Sequence, residues 1–189
     1  PYPRWRYTYS RSPSNFLKFV SNQIKPNKVK FNNSFQKPNI LIAGCGTGNH
    51  ICQASNYLNG QILAIDLSVA SLAYAKRKTT ELGIKNVEFL QTDILNLSNI
   101  NRKFDIIESV GVLHHMDDTM AGWKVLTDCL KQGGLMKIGL YSELARHHIV
   151  KMREEIAQSG IGSSDLAIKS FRKNIINSDK GHHKFIRSF

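Results

Sequence analysis

Between residues 39 and 142 the chain repeats one alternation. A short, mainly apolar run is followed by a turn, and then by a stretch with apolar positions three and four apart. Val87-Glu88-Phe89-Leu90, Phe104-Asp105-Ile106-Ile107 and Leu135–Leu140 are such runs with one charged residue each, and Ile40-Leu41-Ile42-Ala43 and Ile62-Leu63-Ala64-Ile65 are continuous. Continuous runs of this length suit strands buried on both faces of a parallel sheet. Between them, helices are expected from the glycine-rich segment at 44–48 through Leu58, from Ser68 to Gly83, and near Asp118–Leu130. Ser68 is an N-cap residue and Gly83 a C-terminal glycine, so the second of these has both boundary signals. Strand and helix in regular alternation predict an α/β fold with a doubly wound, mainly parallel sheet, and right-handed crossovers put helices on both faces. After Tyr141 the pattern changes: residues 143–158 and 164–177 read as helical, and no further strand is evident. Before residue 39, Ser12-Pro13-Ser14 opens a short helix with Phe16, Leu17, Phe19, Val20 and Ile24 apolar, and residues 26–38 read as a linker.

Three segments follow: a basic N-terminal extension with a short helix (1–38), an α/β domain (39–142) and a helical C-terminal segment (143–189). Charge divides the same way. The chain of 189 residues carries a net +12. Residues 1–38 hold eight Lys/Arg and no acid, 39–142 are neutral with nine of each sign, and 143–189 hold nine bases against five acids. The basic flanks admit two readings, a docking surface for an anionic partner or a solvated surface that maintains solubility. Trp5, Tyr7 and Tyr9 interleaved with Arg4, Arg6 and Arg11 suit base stacking or packing on the domain equally. No apolar stretch is long enough for a membrane span, and no signal-peptide pattern opens the chain. Three cysteines without C-x-x-C spacing argue against a disulfide framework or a zinc site, so no metal is expected and a reducing, cytoplasmic compartment fits. The start without Met and the ending at Arg187-Ser188-Phe189 fit a fragment of a longer protein.

The chemistry concentrates after the first strand. Gly44-x-Gly46-x-Gly48 lies between a strand and a helix, where a backbone must turn sharply and approach a ligand without side chains intervening. Asp66 follows Gly48 by eighteen residues, at the tip of the second strand, where a carboxylate accepts both hydroxyls of a ribose. A dinucleotide fingerprint would require a third glycine at residue 49, which is Asn49. The G-x-G-x-G spacing suits a ligand with no pyrophosphate to seat, and points from NAD towards S-adenosylmethionine.

ILIAGCGTGNH (Ile40–His50), AIDLS (Ala64–Ser68), QTDIL (Gln91–Leu95), FDIIESVGVLHHM (Phe104–Met116) and LKQGGLMKIGLYS (Leu130–Ser142) stand in the order of five motifs of the class I S-adenosylmethionine-dependent methyltransferases, which this sequence resembles. PYPRW and IGLYSELAR are similar to the branch of that family attached to tetratricopeptide repeats in bacterial proteins. The resemblance implies a Rossmann-like methyltransferase fold, S-adenosylmethionine as cofactor and S-adenosylhomocysteine as product. It implies Gly44, Cys45, Gly46 and Gly48 at the methionine end, Asp66 and Leu67 at the ribose and adenine edge, Asp93 and Ile94 on the adenine, and Ser109 and Val110 near the sulfonium. His114 and His115, at the mouth of the expected pocket, are the candidate general bases; His147-His148 and His182-His183 are expected at the surface. Two departures stand out. Ile42 occupies a position where the family usually has an acid, and the family's two strands after the fifth are not evident before Phe189. Glu108-Ser109-Val110-Gly111 also lacks the D/N-P-P-Y/F run of enzymes that methylate exocyclic amines of adenine or glutamine amides. The expected function is methyl transfer to a small-molecule or protein acceptor, with nucleic acid not favoured. A non-catalytic cofactor-binding module and an RNA methyltransferase are the alternatives, and an NAD-dependent oxidoreductase is more distant.

Overall fold

The computed structural model describes residues 36–57 and 59–187. The helix expected at 12–24 and most of the linker lie outside them. The described residues form two compact units, and the chain passes from one to the other between Leu140 and Tyr141.

In the first unit five strands form one parallel sheet: β1 (Asn39–Ala43), β2 (Gln61–Asp66), β3 (Val87–Gln91), β4 (Phe104–Val110) and β5 (Leu130–Gly139). Their order is β3-β2-β1-β4-β5, so the chain reverses direction across the sheet between β1 and β4. That reversal opens a crevice at the carboxyl ends of the central strands, the position at which open α/β sheets bind ligands.

Alternate residues of each strand supply the two cores. On one face Ile40, Ile42, Ile62, Ala64 and Ile106 pack with Ile51, Ala54 and Tyr57 and with Leu72 and Ala75. These partners come from α1 (Asn49–Ala54), the turn after it, and α2 (Val69–Glu81). On the other face Leu41, Ala43, Leu63, Ile65 and Ile107 pack with Ile94 and Leu97 of a 3-10 segment (Ile94–Ile100) and with Leu126 and Cys129 of α3 (Thr119–Cys129). Continuous apolar runs are thus required by two covered faces.

The boundaries follow local chemistry. Ser68 caps α2, its Oγ accepting from the Ser71 N–H at 3.2 Å. Asp118 caps α3, accepting from Met120 and Ala121. The helix expected through Leu58 is shorter: α1 ends at Ala54, and Ser55 turns the chain, its hydroxyl bonding the Cys52 carbonyl. The fifth strand was expected from Leu135, but β5 begins at Leu130. Leu130 pairs with Phe104 and Leu135 with Ile106, so between these pairs four residues of β5 stand against one of β4, and the excess is taken up around Gly133 at φ +75°. A glycine pair reads as a turn in sequence, and pairing with β4 absorbs it as an irregularity. Buried Asp105 fixes this corner, accepting from the Asn39 N–H at 2.8 Å and the Lys131 ammonium at 2.9 Å.

The second unit holds α4 (His147–Gln158), α5 (Asp165–Ile176) and α6 (Gly181–Arg187). The last of these was not expected. Met152 of α4 and His183 of α6 are its buried side chains, so His183 does not take the surface position expected of it. Glu155 joins the two helices, accepting from Lys180, His182 and His183. Those hydrogen bonds, the one from Lys180 foremost, hold its carboxyl down to about 2.

Candidate functional site

The crevice at the sheet's reversal point is a cavity of about 710 Å³. The loop after β1 forms one wall. Gly44 has φ +75° and Gly46 φ +52°, conformations that favour glycine. A Cβ on Gly44 would stand 2.3 Å from Cγ2 of Val112, so this glycine lets the loop after β1 close onto the loop after β4. A Cβ on Gly46 would meet nothing within 4 Å, so its lack of a side chain leaves the cavity wall bare. The N–H groups of Gly44 and Cys45 both bond the Ile65 carbonyl at 2.9 Å, tying the loop to β2.

Asp66 ends β2 and lines the cavity. Its Oδ2 accepts from the Gly46 N–H at 2.8 Å and its Oδ1 from the Ser68 N–H at 2.9 Å. The carboxylate is therefore fixed from two sides, and each oxygen keeps a further lone pair for a ligand hydroxyl. Asp93 lines the cavity too and caps the 3-10 segment through the Leu95 N–H. Leu67, Ile94 and Leu95 give the cavity an apolar side next to these acids.

Of the residues singled out in sequence, Gly44, Cys45, Gly46, Asp66, Leu67, Asp93, Ile94, Val110 and His115 line this one cavity. Gly48, Ser109 and His114 do not. Gly48 faces α2: a Cβ there would stand 2.8 Å from the Ala75 Cβ, so this glycine serves helix packing. Ser109 is buried within β4, pairing with Ile138 of β5. His114 is half-buried with its ring 4.2 Å from that of His115. The Cys45 thiol, buried and beside the Asp66 carboxylate, is pushed up to about 12, so it stays protonated and is no nucleophile at neutral pH.

The lining also includes residues that sequence reasoning did not single out as site residues, among them His50, Val112 and Met116. His50 sits in the first turn of α1. Burial holds its imidazole below the ordinary 6.5; the Glu108 carboxylate opposes this and the Lys137 ammonium adds to it. Glu108 is itself buried on β4, where it accepts from the Tyr57 phenol at 3.4 Å. His50, Val112 and Met116 stand inside the motif runs, but their part in the cavity depends on which face each turns inward.

Residues 40–134 match the model of the methyltransferase domain family, and the chain belongs to that family, whose cofactor is S-adenosylmethionine. An uncharacterized protein of Synechococcus sp. is 36% identical over 127 residues, 64% of this chain and 30% of that protein. Among solved structures, PKMT2 from Rickettsia typhi in complex with AdoHcy is 25% identical with a TM-score of 0.63, over 100% of this chain and 37% of that one. An S-adenosylmethionine-dependent methyltransferase from Clostridium acetobutylicum is 29% identical with a TM-score of 0.50, over 65% of this chain and 48% of that one. The chain thus spans about a third to a half of the length of these relatives. The cavity's chemistry fits the cofactor: a fixed carboxylate for a vicinal diol, an apolar side for a purine, and a glycine wall open to close approach. Among the described residues no helix is long and apolar enough to cross a membrane.

Proposed function

We propose that the chain is a methyl-transferring domain that holds S-adenosylmethionine in this cavity and delivers its methyl group to a small-molecule or protein acceptor. The observation that carries this reading is convergence: residues from four separate motif runs, at Gly44–Gly46, Asp66–Leu67, Asp93–Ile94 and Val110, line one cavity.

The cofactor, when bound, supplies an electrophilic methyl group on a positively charged sulfur, so the protein need only bind, orient and exclude water. Asp66 accepts the ribose hydroxyls, and its two backbone hydrogen bonds keep it from reorganising on binding. Leu67, Ile94 and Leu95 flank the adenine, with Asp93 accepting at its edge. The bare backbone of Gly44–Gly46 admits the methionine end, and the Gly44–Val112 contact keeps water from the wall behind it. Alignment of donor and acceptor supplies up to about 7–11 kcal/mol of rate acceleration in favourable cases. His115, exposed at the cavity lining, is the residue assigned to take a proton from the acceptor. His114 does not line the cavity and is assigned no part in the proton transfer.

Asp66→Ala removes the ribose acceptor and unties Gly46 and Ser68. Calorimetric titration with S-adenosylhomocysteine should show affinity falling about ten- to hundredfold, the scale of a hydrogen bond to a charged group. Unchanged affinity would remove Asp66 from the site.

A further inference from the structure

The second unit carries a cluster whose residues are not among those lining the cofactor cavity. Glu155 lies in the third turn of α4, and His182 and His183 in the first turn of α6. Both histidines aim Nε2 at the same carboxylate oxygen, Oε2 of Glu155, at 2.7 and 2.8 Å. The three potential ligand atoms all lie within 4.8 Å of one another. His183 is buried and His182 and Glu155 are partly covered, so the cluster is not a chance meeting of solvated chains.

Two imidazoles and one carboxylate are a donor set for a first-row divalent transition metal. Zinc bound at about 2.0–2.1 Å places tetrahedral ligand atoms roughly 3.3 Å apart, so the present arrangement needs only small outward movements to admit an ion. Glu155 also has a competitor: the Lys180 ammonium sits 2.8 Å from its other oxygen, Oε1. Lys180 is 56% exposed and free to swing away. It leaves Oε2 as the donor facing the histidines and lowers the site's attraction for a cation without blocking it.

We propose that Glu155, His182 and His183 form a binding site for a divalent transition-metal ion of the zinc type that clips α6 to α4. The ion replaces the two N–H···O hydrogen bonds at Oε2: each neutral imidazole ligates through Nε2, with its proton on Nδ1, and the carboxylate ligates as an anion. The remaining coordination positions are open to water. This site shares no residue with the cofactor cavity, so its test stands whether or not the cavity binds its ligand.

The test uses the whole 189-residue chain, stripped of metal and free of any histidine tag, titrated with zinc chloride by calorimetry and with cobalt(II) by visible absorption. One saturable site per chain is expected, with the intense ligand-field bands of a low-coordinate cobalt ion. His182→Ala and Glu155→Gln should each weaken zinc binding by more than about tenfold, a scale that outer-shell losses alone already reach. His147→Ala, in an adjacent histidine pair outside the three ligands, should leave it unchanged. Lys180→Met should tighten it, because Oε1 is freed and a nearby positive charge removed; a chance histidine-rich surface predicts no such gain. Circular dichroism of each variant separates loss of site from loss of fold. Absence of a saturable wild-type site, or equal binding by wild type and folded His182→Ala, would overturn the proposal and leave a clamp of hydrogen bonds alone.

Discussion

At the scale of single residues, the site depends on groups whose environments fix their chemical state. Cys45 is held as a thiol by burial and by Asp66, so its sulfur is a poor nucleophile at neutral pH. His50 is held below the ordinary histidine value, chiefly by burial. The folded chain therefore binds this proton more weakly than the unfolded chain does. Its contribution to stability is complete above about pH 6.5 and is lost as pH falls below that value towards the folded one. Urea unfolding at pH 7.5, 6.5 and 5.5 should show His50→Gln losing stability less steeply than wild type over the acid half of this range. Parallel curves for the two proteins would contradict the assignment. The sequence made Asp66 legible, because a carboxylate at a fixed distance from a glycine loop is a local pattern. It did not make His50 legible, because its burial exists only in the fold and the charges that perturb it, Glu108 and Lys137, come from β4 and β5.

At the scale of elements, the three glycines of one motif do different work. Gly46 clears the cavity wall, Gly44 lets two loops meet, and Gly48 lets α1 pass Ala75 of α2. The spacing alone placed all three at a ligand, since a sequence does not say which neighbour a missing side chain makes room for. Substitution should separate them. Gly48→Ala combines φ +93° with a contact at 2.8 Å and should cost about 2–4 kcal/mol. Gly46→Ala faces open space and should cost about 1–2 kcal/mol, the price of its backbone conformation, while weakening S-adenosylhomocysteine binding. Thermal unfolding with and without that ligand reads both effects; equal stability losses would contradict the division. The strands were legible where both faces are covered, as in β1 and β2. The start of β5 was not, because Gly133-Gly134 has a turn's composition and its pairing is set by β4. Nor was α6 legible: its seven residues are held by contacts to α4 and α5 rather than by a boundary signal of their own.

At the scale of the whole molecule, the sheet order β3-β2-β1-β4-β5 fixes where chemistry can occur. Four motif runs separated along the chain reach one cavity because each follows the carboxyl end of a different strand, and that convergence is a property of topology. Order and spacing were sufficient to read the family and its cofactor. They were insufficient to read the helical unit after Tyr141, where His182 and His183 meet Glu155 from 27 and 28 residues away, across a whole helix. The basic charge lies at the two ends of the sequence, while the neutral middle carries the cavity. On the function proposed above, this cavity takes a nucleoside bearing a thioether or sulfonium and refuses a dinucleotide. Calorimetric titration of the chain with S-adenosylhomocysteine and with NAD tests it most directly. Saturable one-to-one binding of S-adenosylhomocysteine with none of NAD is the predicted result. Binding of NAD in preference, or of neither ligand by folded protein, would contradict it.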